Sequence, residues 1–329
     1  MLNAKLAKDS PRAPRRGARL VLRALIALIA VAGIIGVLFA VNGLLLAPGE
    51  LPVVGLTGHP PRPLAEDEDG VEVRVVAWNI AKAFAYRQRL RFAAPAAIRE
   101  RLDALAAVIR EADPDLVFLS EVLHECPPCG VSQVRDLAER IGASAWLFGE
   151  CYNIGLPFYR VSGGNAILSR LAIEPDDNLS LVGRKPFYAS ANNRRALFGT
   201  VRVGTELVLL GALHNDSRAG PANTAQMRQV LEHTAGRPTL LAGDFNAWPT
   251  HASLDLVRAA GRFTRVVDAQ PTHPAKRPKR VIDYIVAPST WELLEYRVLD
   301  TQVSDHRPIF ARFRCPRAEC GSEQRSGQD

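Results

Sequence analysis

The N-terminal region of the sequence contains an uncharged stretch of 26 residues, 24–49, rich in Ala, Leu, Ile, Val and Gly. A helix rises about 1.5 Å per residue, so about 20 such residues cross the hydrocarbon layer of a bilayer. A cleaved signal peptide, the alternative, has a shorter apolar core of roughly 7–15 residues. The stretch therefore favours one retained transmembrane helix over residues 24–47.

The charges around this stretch indicate its orientation. Residues 1–23 carry seven Lys and Arg and one Asp, whereas the remaining chain carries 34 basic and 33 acidic residues. Because basic residues accumulate on the cytoplasmic side of a span, we expect residues 1–23 to form a basic cytoplasmic tail. The predicted location is the cell membrane, with a single pass and the large part of the chain after the span outside the cytoplasm. The nearly neutral remainder lacks the strong basic face of a generic nucleic-acid-binding protein.

Five cysteines fit an oxidising compartment if some of them are paired. Cys126 and Cys129 flank two prolines, and with Cys151, Cys315 and Cys320 they allow two bridges and one odd thiol. For Cys126 and Cys129 we expect a structural disulfide rather than a redox role, because the surrounding pattern of a thioredoxin-like unit is missing.

Composition and periodicity divide the rest of the chain. A segment rich in Pro and Gly with an acidic end, residues 48–69, predicts a linker. Residues 70–315 are predicted to form the folded catalytic domain, and the polar residues 316–329 are expected to be disordered.

Within the domain, β-branched runs alternate with helices whose apolar residues recur every three or four positions. So many strands, with both connection types, predict two sheets packed face to face with helices outside. Strands are predicted near 71–77, 116–120, 165–169, 196–203, 207–213, 239–242, 281–286 and 309–313. Helices are predicted near 94–112, 133–141 and 224–233.

Polar side chains follow several of these apolar strands. One such residue alone is most simply a turn former or helix cap, but their number indicates a site where a rigid sheet presents its strand ends. The residues are Asn79, Glu121, His214, Asp244, Asn246, Asp283, Asp305 and His306.

The chemistry of these residues is coherent. Carboxylate and amide oxygens are suitable ligands for Mg²⁺ or Mn²⁺. The two histidines are available for proton transfer or for stabilising charge on a phosphoryl oxygen. A metal-dependent reaction at a phosphate is therefore the favoured interpretation.

The same residues lie in short motifs whose order resembles the endonuclease/exonuclease/phosphatase superfamily, with its deoxyribonuclease-I-like fold. The motifs are Trp78-Asn79, 118–121 (FLSE), 164–170 (GNAILSR), Leu213-His214, 241–246 (LAGDFN), 282–284 (IDY) and 304–308 (SDHRP). The resemblance covers about residues 71–313. It implies an α/β fold, a four-layer α/β/β/α sandwich of two packed, mostly antiparallel sheets flanked by helices. It also implies a Mg²⁺- or Mn²⁺-dependent hydrolase acting on phosphoester bonds.

The resemblance implies roles for individual residues. Glu121 would be the principal metal ligand, with Asn79 nearby and Asp305 contributing. Asp244 would position or deprotonate the attacking water, and Asn246 would hold a phosphate oxygen.

The two histidines are also carried over. His306 would contact the scissile phosphate or transfer a proton, and His214 resembles a second catalytic histidine with Asp283 as its orienting partner. Which histidine is the acid and which the base stays open.

Two further residues are expected to contact substrate phosphate. Arg195 matches a position where the superfamily often has a phosphate-binding arginine, and a planar guanidinium suits phosphate. Asn165, in the 164–170 motif, is the second. Arg194 is equally well explained as plain surface.

The resemblance leaves the substrate open between nucleic acid and phospholipid. Local basic runs within 87–91 and 276–280 flank site residues and suit a phosphate-rich substrate. The first prediction is a phosphodiesterase or nuclease held in the membrane by its N-terminal helix. Alternatives are a lipid phosphodiesterase or phosphatase of the sphingomyelinase or phosphoinositide type, and a non-catalytic binding module that keeps the fold. The sequence indicates no protein partner.

Overall fold

The strands and helices follow the predicted alternation closely. The computed structural model describes residues 16–46, 49–87, 91–183, 194–217, 220–264 and 270–317. The α-helices within these ranges are α1 (Arg16–Val41), α2 (Pro95–Ala112), α3 (Gln133–Ile141), α4 (Pro221–His233) and α5 (Ala252–Ala259). Most of the predicted basic tail and nearly all of the predicted C-terminal tail lie outside the described residues, at 1–15 and 318–329.

The described strands fall into a large sheet, a small sheet and one short hairpin. In chain order they are β1 (Val53–Leu56), β2 (Ala65–Glu66), β3 (Gly70–Asn79), β4 (Tyr86–Arg87), β5 (Arg91–Phe92), β6 (Leu116–Glu125), β7 (Ala145–Leu156), β8 (Tyr159–Ser169), β9 (Ile173–Ser180), β10 (Arg195–Val203), β11 (Glu206–His214), β12 (Thr239–Asp244), β13 (Asp283–Val286), β14 (Glu292–Val298) and β15 (Ile309–Pro316).

The large sheet has the order β1-β7-β8-β6-β3-β15-β14, with β2 added beside β3, and the small sheet has the order β13-β12-β11-β10-β9. Pairs β3–β6 and β11–β12 are parallel, and the other pairs are antiparallel. Both sheets are therefore mixed and mostly antiparallel. Each parallel pair brings two strand ends to the same edge of its sheet.

Helix α2 shows why the outer layers form. It begins with Pro95 in the first turn and ends at Asp113, which has a left-handed backbone. Between these limits the predicted apolar positions Leu102, Leu105 and Ile109 are buried against the large sheet. Each buried leucine contributes roughly 1.5–3 kcal/mol through removal of apolar surface from water.

Two further cores complete the sandwich. One lies between the sheets and includes Val73, Phe118 and Leu210. The other packs α4 and α5 on the outer face of the small sheet, with Met227 and Leu254 among its members. The four-layer α/β/β/α prediction is confirmed.

The N-terminal helix is apolar and exposed. Within the described residues, 17–46 form one helical segment long and apolar enough to cross a membrane, and none of its most apolar window is buried. The predicted linker is not a free connection, because β1 pairs with the edge strand β7 from Val53 opposite Phe148 to Leu56 opposite Ala145. The single-sequence pattern missed this strand because its side chains are mostly exposed.

The cysteines match part of the prediction. Cys126 and Cys129 form the expected disulfide. Cys151 and Cys315 are buried free thiols, and Cys320 lies outside the described residues.

Candidate active site

The large sheet ends in a turn that carries a lysine into the site. Residues Ala81–Phe84 all have positive φ, between 46° and 57°, which costs roughly 1–2 kcal/mol for each residue other than glycine. Gln133 Nε2 donates to the Lys82 carbonyl at 2.6 Å and holds the turn. Strain of this kind persists where the surroundings enforce it, commonly at functional sites. The turn places Lys82 Nζ against Glu121 Oε2.

Glu121 is the central carboxylate of the large sheet. It follows Ser120 in β6, which is level with Asn79 on β3, and its own φ is 53°. Burial alone raises its pKa, but Lys82 and His214 outweigh burial and lower the pKa of Glu121 to about 2. The carboxylate is therefore ionised throughout the neutral range.

The small sheet contributes three residues in register. His214 on β11 lies opposite Asp244 on β12, and Asp244 lies opposite Asp283 on β13. Gly243 makes the parallel pairing possible, because a Cβ there would lie 2.2 Å from the Leu213 carbonyl oxygen. Three adjacent strand ends thus present an imidazole and two carboxylates in a row.

Asp244 contacts residues from both sheets. Its Oδ2 accepts a hydrogen bond from Asn79 Nδ2 at 3.1 Å, and it lies 3.6 Å from His214 Nε2 and 3.8 Å from His306 Nε2. Burial and the neighbouring Asp283 raise the pKa of Asp244 to about 7. This carboxylate is poised to exchange a proton near neutral pH.

His306 is held as a cation by a buried acid. Its Nδ1 lies 2.9 Å from Asp283 Oδ2, and Thr272 Oγ1 donates to the same oxygen. Burial alone lowers the pKa of His306, but the charge and hydrogen bond of Asp283 raise it to about 10. The segment is fixed from the large sheet, since Trp78 Nε1 donates to the His306 carbonyl at 2.8 Å.

His214 has the opposite character. Burial, together with the nearby positive charge of Arg194, lowers the pKa of His214 well below its ordinary value. Its Nε2 lies 3.9 Å from Glu121 Oε1. At neutral pH the site therefore pairs a neutral imidazole, His214, with an imidazolium, His306. Asp283 partners His306 rather than His214, which corrects the predicted pairing.

Asn246 lies beside these groups in a strained conformation. Its φ is 49°, and its backbone N–H donates to Asp244 Oδ1 at 2.9 Å. Its side-chain amide donates to the Asn215 carbonyl at 3.0 Å. The residue is positioned by the small sheet at the edge shared with Asp244.

The predicted metal ligands have different partners. Asn79 is tied to Asp244 and Glu121 to Lys82, whereas the exposed Asp305 accepts from the Ser304 hydroxyl at 3.3 Å. In the part of the chain that the structure describes, two clusters have metal-ligand geometry. They are His273, Asp305 and His306, and Asp244, Asp283 and His306.

The donor chemistry fits a hard divalent cation best at Glu121. That carboxylate is ionised and pairs with the Lys82 ammonium. The amide of Asn79 is close by in register, because Asn79 pairs with Ser120, the residue before Glu121. Oxygen donors of this kind are the ones that Mg²⁺ and Mn²⁺ prefer. The clusters around His306 fit Mg²⁺ or Mn²⁺ less well, because they include imidazole ligands, which suit softer cations.

Asn165 and Arg195 contact the backbone around the site. Asn165 Nδ2 donates to the Arg195 carbonyl at 2.9 Å, which joins two strands. Arg195 Nη1 donates to the carbonyls of Asn178 and Gly49 at 2.6 and 3.4 Å. Their role at the phosphate stays a prediction.

Two residues that face the site were missed. Arg194 acts on both Glu121 and His214 through its charge, and its buried Nε has no hydrogen-bond partner within the described part of the chain. Lys82 is the second. Its position three residues after Asn79, in a stretch without glycine, gave no sign of a left-handed turn.

Comparisons with known proteins agree with this arrangement. A family model described as the Endonuclease/Exonuclease/phosphatase family matches residues 76–306. The Escherichia coli K12 protein named "Uncharacterized protein YbhP" is 30% identical over 261 residues, covering 72% of this chain and 94% of that protein.

Solved structures share the fold. An endonuclease/exonuclease/phosphatase from Beutenbergia cavernae has 26% identity and a TM-score of 0.61, covering 74% of this chain and 72% of that one. A mannosyl-6-phosphatase from Bacteroides thetaiotaomicron has 16% identity and a TM-score of 0.54, covering 73% of this chain and 99% of that one. The second likeness is one of fold alone.

Proposed function

The chain belongs to the endonuclease/exonuclease/phosphatase family, and from that premise we propose that it is a Mg²⁺- or Mn²⁺-dependent phosphodiesterase or nuclease. The proposal rests on one observation about the site. An ionised Glu121 and Asp244 both lie within 4 Å of the neutral His214, and Asp244 also lies 3.8 Å from the cationic His306. These groups supply a cation site, a proton acceptor and a positive charge within one inter-sheet edge. Hydrolysis at a phosphate needs all three.

The proposed catalytic roles follow from charge. Asp244, with a pKa of about 7, orients the attacking water and takes its proton, and His214, neutral at this pH, accepts from the same water or passes the proton on. His306, held as imidazolium by Asp283, donates to a phosphoryl oxygen. Charge that develops on the phosphate is thereby met by a preformed donor.

Glu121 and Asn79 are the residues we propose to hold the metal. When bound, a divalent cation there neutralises charge on the phosphate oxygens. Asp305 is exposed beside His306, and we propose for it only a minor contribution to metal binding. Lys82 supplies a monovalent positive charge to Glu121, which limits repulsion between this carboxylate and an incoming phosphate.

Arg194 takes the phosphate-binding role that the sequence assigned to its neighbour. Its charge reaches Glu121 and His214, and no hydrogen-bond partner of its Nε lies among the described residues. A planar guanidinium suits a tetrahedral oxyanion. Asn246, fixed beside Asp244, remains the proposed second contact to a phosphate oxygen.

The apolar helix supports anchoring in the membrane. Residues 17–37 are exposed along their whole length, and such a surface is stable in hydrocarbon rather than in water. With the basic residues preceding it, we propose a cytoplasmic N-terminus and an extracytoplasmic catalytic domain. The topology is tested with a reporter enzyme that works only in the cytoplasm, fused after Asp329. Activity of that fusion contradicts the proposed topology.

The activity is tested with the full chain in detergent micelles and bis(p-nitrophenyl) phosphate. We expect hydrolysis with Mg²⁺ or Mn²⁺, none with excess EDTA, and a loss of at least about 100-fold in kcat/KM for Glu121→Gln and His306→Ala. Glu125→Gln is the matched control, because Glu125 lies four residues further along and pairs with Arg160. Equal inactivity of wild type and all variants across DNA, RNA and phospholipids supports the non-catalytic alternative instead.

A further inference from the structure

The end of the apolar helix is built into the catalytic domain. Asn42, just after α1, is buried, and its Nδ2 donates to Asn153 Oδ1 at 2.8 Å. Seven residues later the Gly49 carbonyl accepts from the side chains of Asn178 and Arg195. The chain then continues directly into β1. The domain therefore cannot turn freely relative to the helix.

The helix joins the domain at the catalytic edge. In the β7–β8 pair, Gly149 lies opposite Asn165 and Asn153 lies opposite Ser162. Glu121 on β6 is level with residues 164–165. Asn153 is thus three to four residues beyond the level of Glu121, or roughly 10 Å at about 3.3 Å per residue. The span therefore ends on the side of the domain toward which β6 runs past Glu121.

The same edge presents apolar side chains. The β7–β8 turn exposes Phe158 and Tyr159, 76% and 53% of whose surfaces are accessible. A cavity of about 470 Å³ is lined by Phe158 of this turn together with Trp146, Arg135, Arg160 and Glu125, and Arg160 pairs with Glu125. Exposed aromatic rings such as those of the turn are typical of the boundary between lipid and water.

The helix itself points away from the domain. Residues 17–37 are exposed, residues 38–41 are half-buried, and Asn42 and Gly43 are buried. Only the last turn therefore touches the protein. A bilayer that surrounds the exposed part lies just beyond Asn153 and the β7–β8 turn.

We propose that the β7–β8 turn rests on the membrane surface and that the substrate is the phosphoester headgroup of a lipid in the leaflet facing the catalytic edge. This proposal rests on the proposed hydrolase function and names its substrate class. The occupant of the exposed turn is the bilayer, because the turn is continuous with the docked end of the span.

Membrane contact is tested without catalysis. The full chain with Cys320→Ser is placed in phospholipid nanodiscs, and Phe158→Cys is labelled with an environment-sensitive fluorophore. Leu207→Cys is the matched control, since Leu207 is also exposed but begins the strand that ends at His214, about 23 Å away. Spin-labelled lipid is expected to quench the label at 158 and not at 207. No quenching at 158, or equal quenching at both positions, overturns the proposed orientation.

The substrate class is tested by comparing two turnovers in the same nanodiscs. We expect Phe158→Asp to lower the ratio of lipid-phosphoester to bis(p-nitrophenyl) phosphate hydrolysis about tenfold, while Leu207→Asp leaves this ratio unchanged. Hydrolysis of DNA or RNA with no hydrolysis of nanodisc lipid overturns the lipid assignment. Failure on the soluble diester as well contradicts the hydrolase function itself, and the quenching result still decides the orientation.

Discussion

The pair of His306 and Asp283 makes a quantitative prediction for Asp283→Asn. The two side chains are buried and 2.9 Å apart. The pKa of His306 is about 10 instead of 6.5, a difference that corresponds to about 5 kcal/mol of preference for the imidazolium. Asparagine has nearly the same shape but no charge. The variant therefore removes the cause of the raised pKa while keeping the packing.

The effect on activity depends on pH. With the Asp283 carboxylate gone, burial opposes the imidazolium while Asp244 and Asp305 still favour it, so we expect the pKa of His306 to fall from about 10 toward its ordinary value of 6.5. At a pKa of 6.5, about one thirtieth of the variant carries the imidazolium at pH 8, while nearly all of the wild type does. At pH 6 most of the variant is still protonated. From protonation alone, kcat/KM should fall by up to about thirtyfold at pH 8 and much less at pH 6.

Two measurements check this reasoning. Histidine ring carbons labelled with ¹³C report the titration of His306 in metal-free protein, and initial rates on bis(p-nitrophenyl) phosphate give the pH profile. Thr272→Val is the control, because it removes a hydroxyl from the same carboxylate oxygen but leaves the charge. A titration of His306 near pH 10 in Asp283→Asn, or an equal loss of rate at both pH values, would refute the assignment.

Two other substitutions test separate features. Lys82→Met is expected to tighten Mn²⁺ binding about tenfold, measured by calorimetry without substrate, because the ammonium no longer competes for Glu121. The control Lys82→Arg keeps the charge and should bind Mn²⁺ as the wild type does. Weaker binding by Lys82→Met would contradict the role of the ion pair. Gly164→Ala is expected to lower the free energy of unfolding by about 3 kcal/mol, since its Cβ would lie 1.9 Å from the Gly149 carbonyl oxygen. Gly58→Ala, where the Cβ meets nothing within 4 Å, is the control in denaturant melts.

Periodicity predicted the central strands because their signal is local and strong. The strand ending at His214 and the strand ending at Asp244 are apolar runs followed by a polar residue, and both were identified with the correct side chains. Strands β7, β9 and β14 and helix α5 were missed. The half-exposed edge strand β14 and the short surface helix α5 carry weak apolar patterns. Strand β7 is largely buried and was missed all the same. Periodicity does not tell which strand ends lie at the same edge of the two sheets. The order of the family motifs supplied that information.

Side-chain direction was the harder question. Successive residues in a strand point to opposite faces. An assignment that is wrong by one residue at the start of β10 therefore selects Arg195 instead of Arg194 as the arginine that acts on the site. Lys82 was hidden for another reason. Its left-handed turn depends on Gln133, which is 51 residues away in the sequence and donates to its carbonyl, and such a contact leaves no local trace.

The hydrogen bond from Trp78 to the His306 carbonyl spans 228 positions of the sequence. Groups from near the start and near the end of the domain must therefore both be present before the site exists. During synthesis, a ribosome must have released almost the whole domain before Asp244 acquires its imidazolium neighbour. A truncated or half-emerged chain that lacks His306 consequently lacks the complete site.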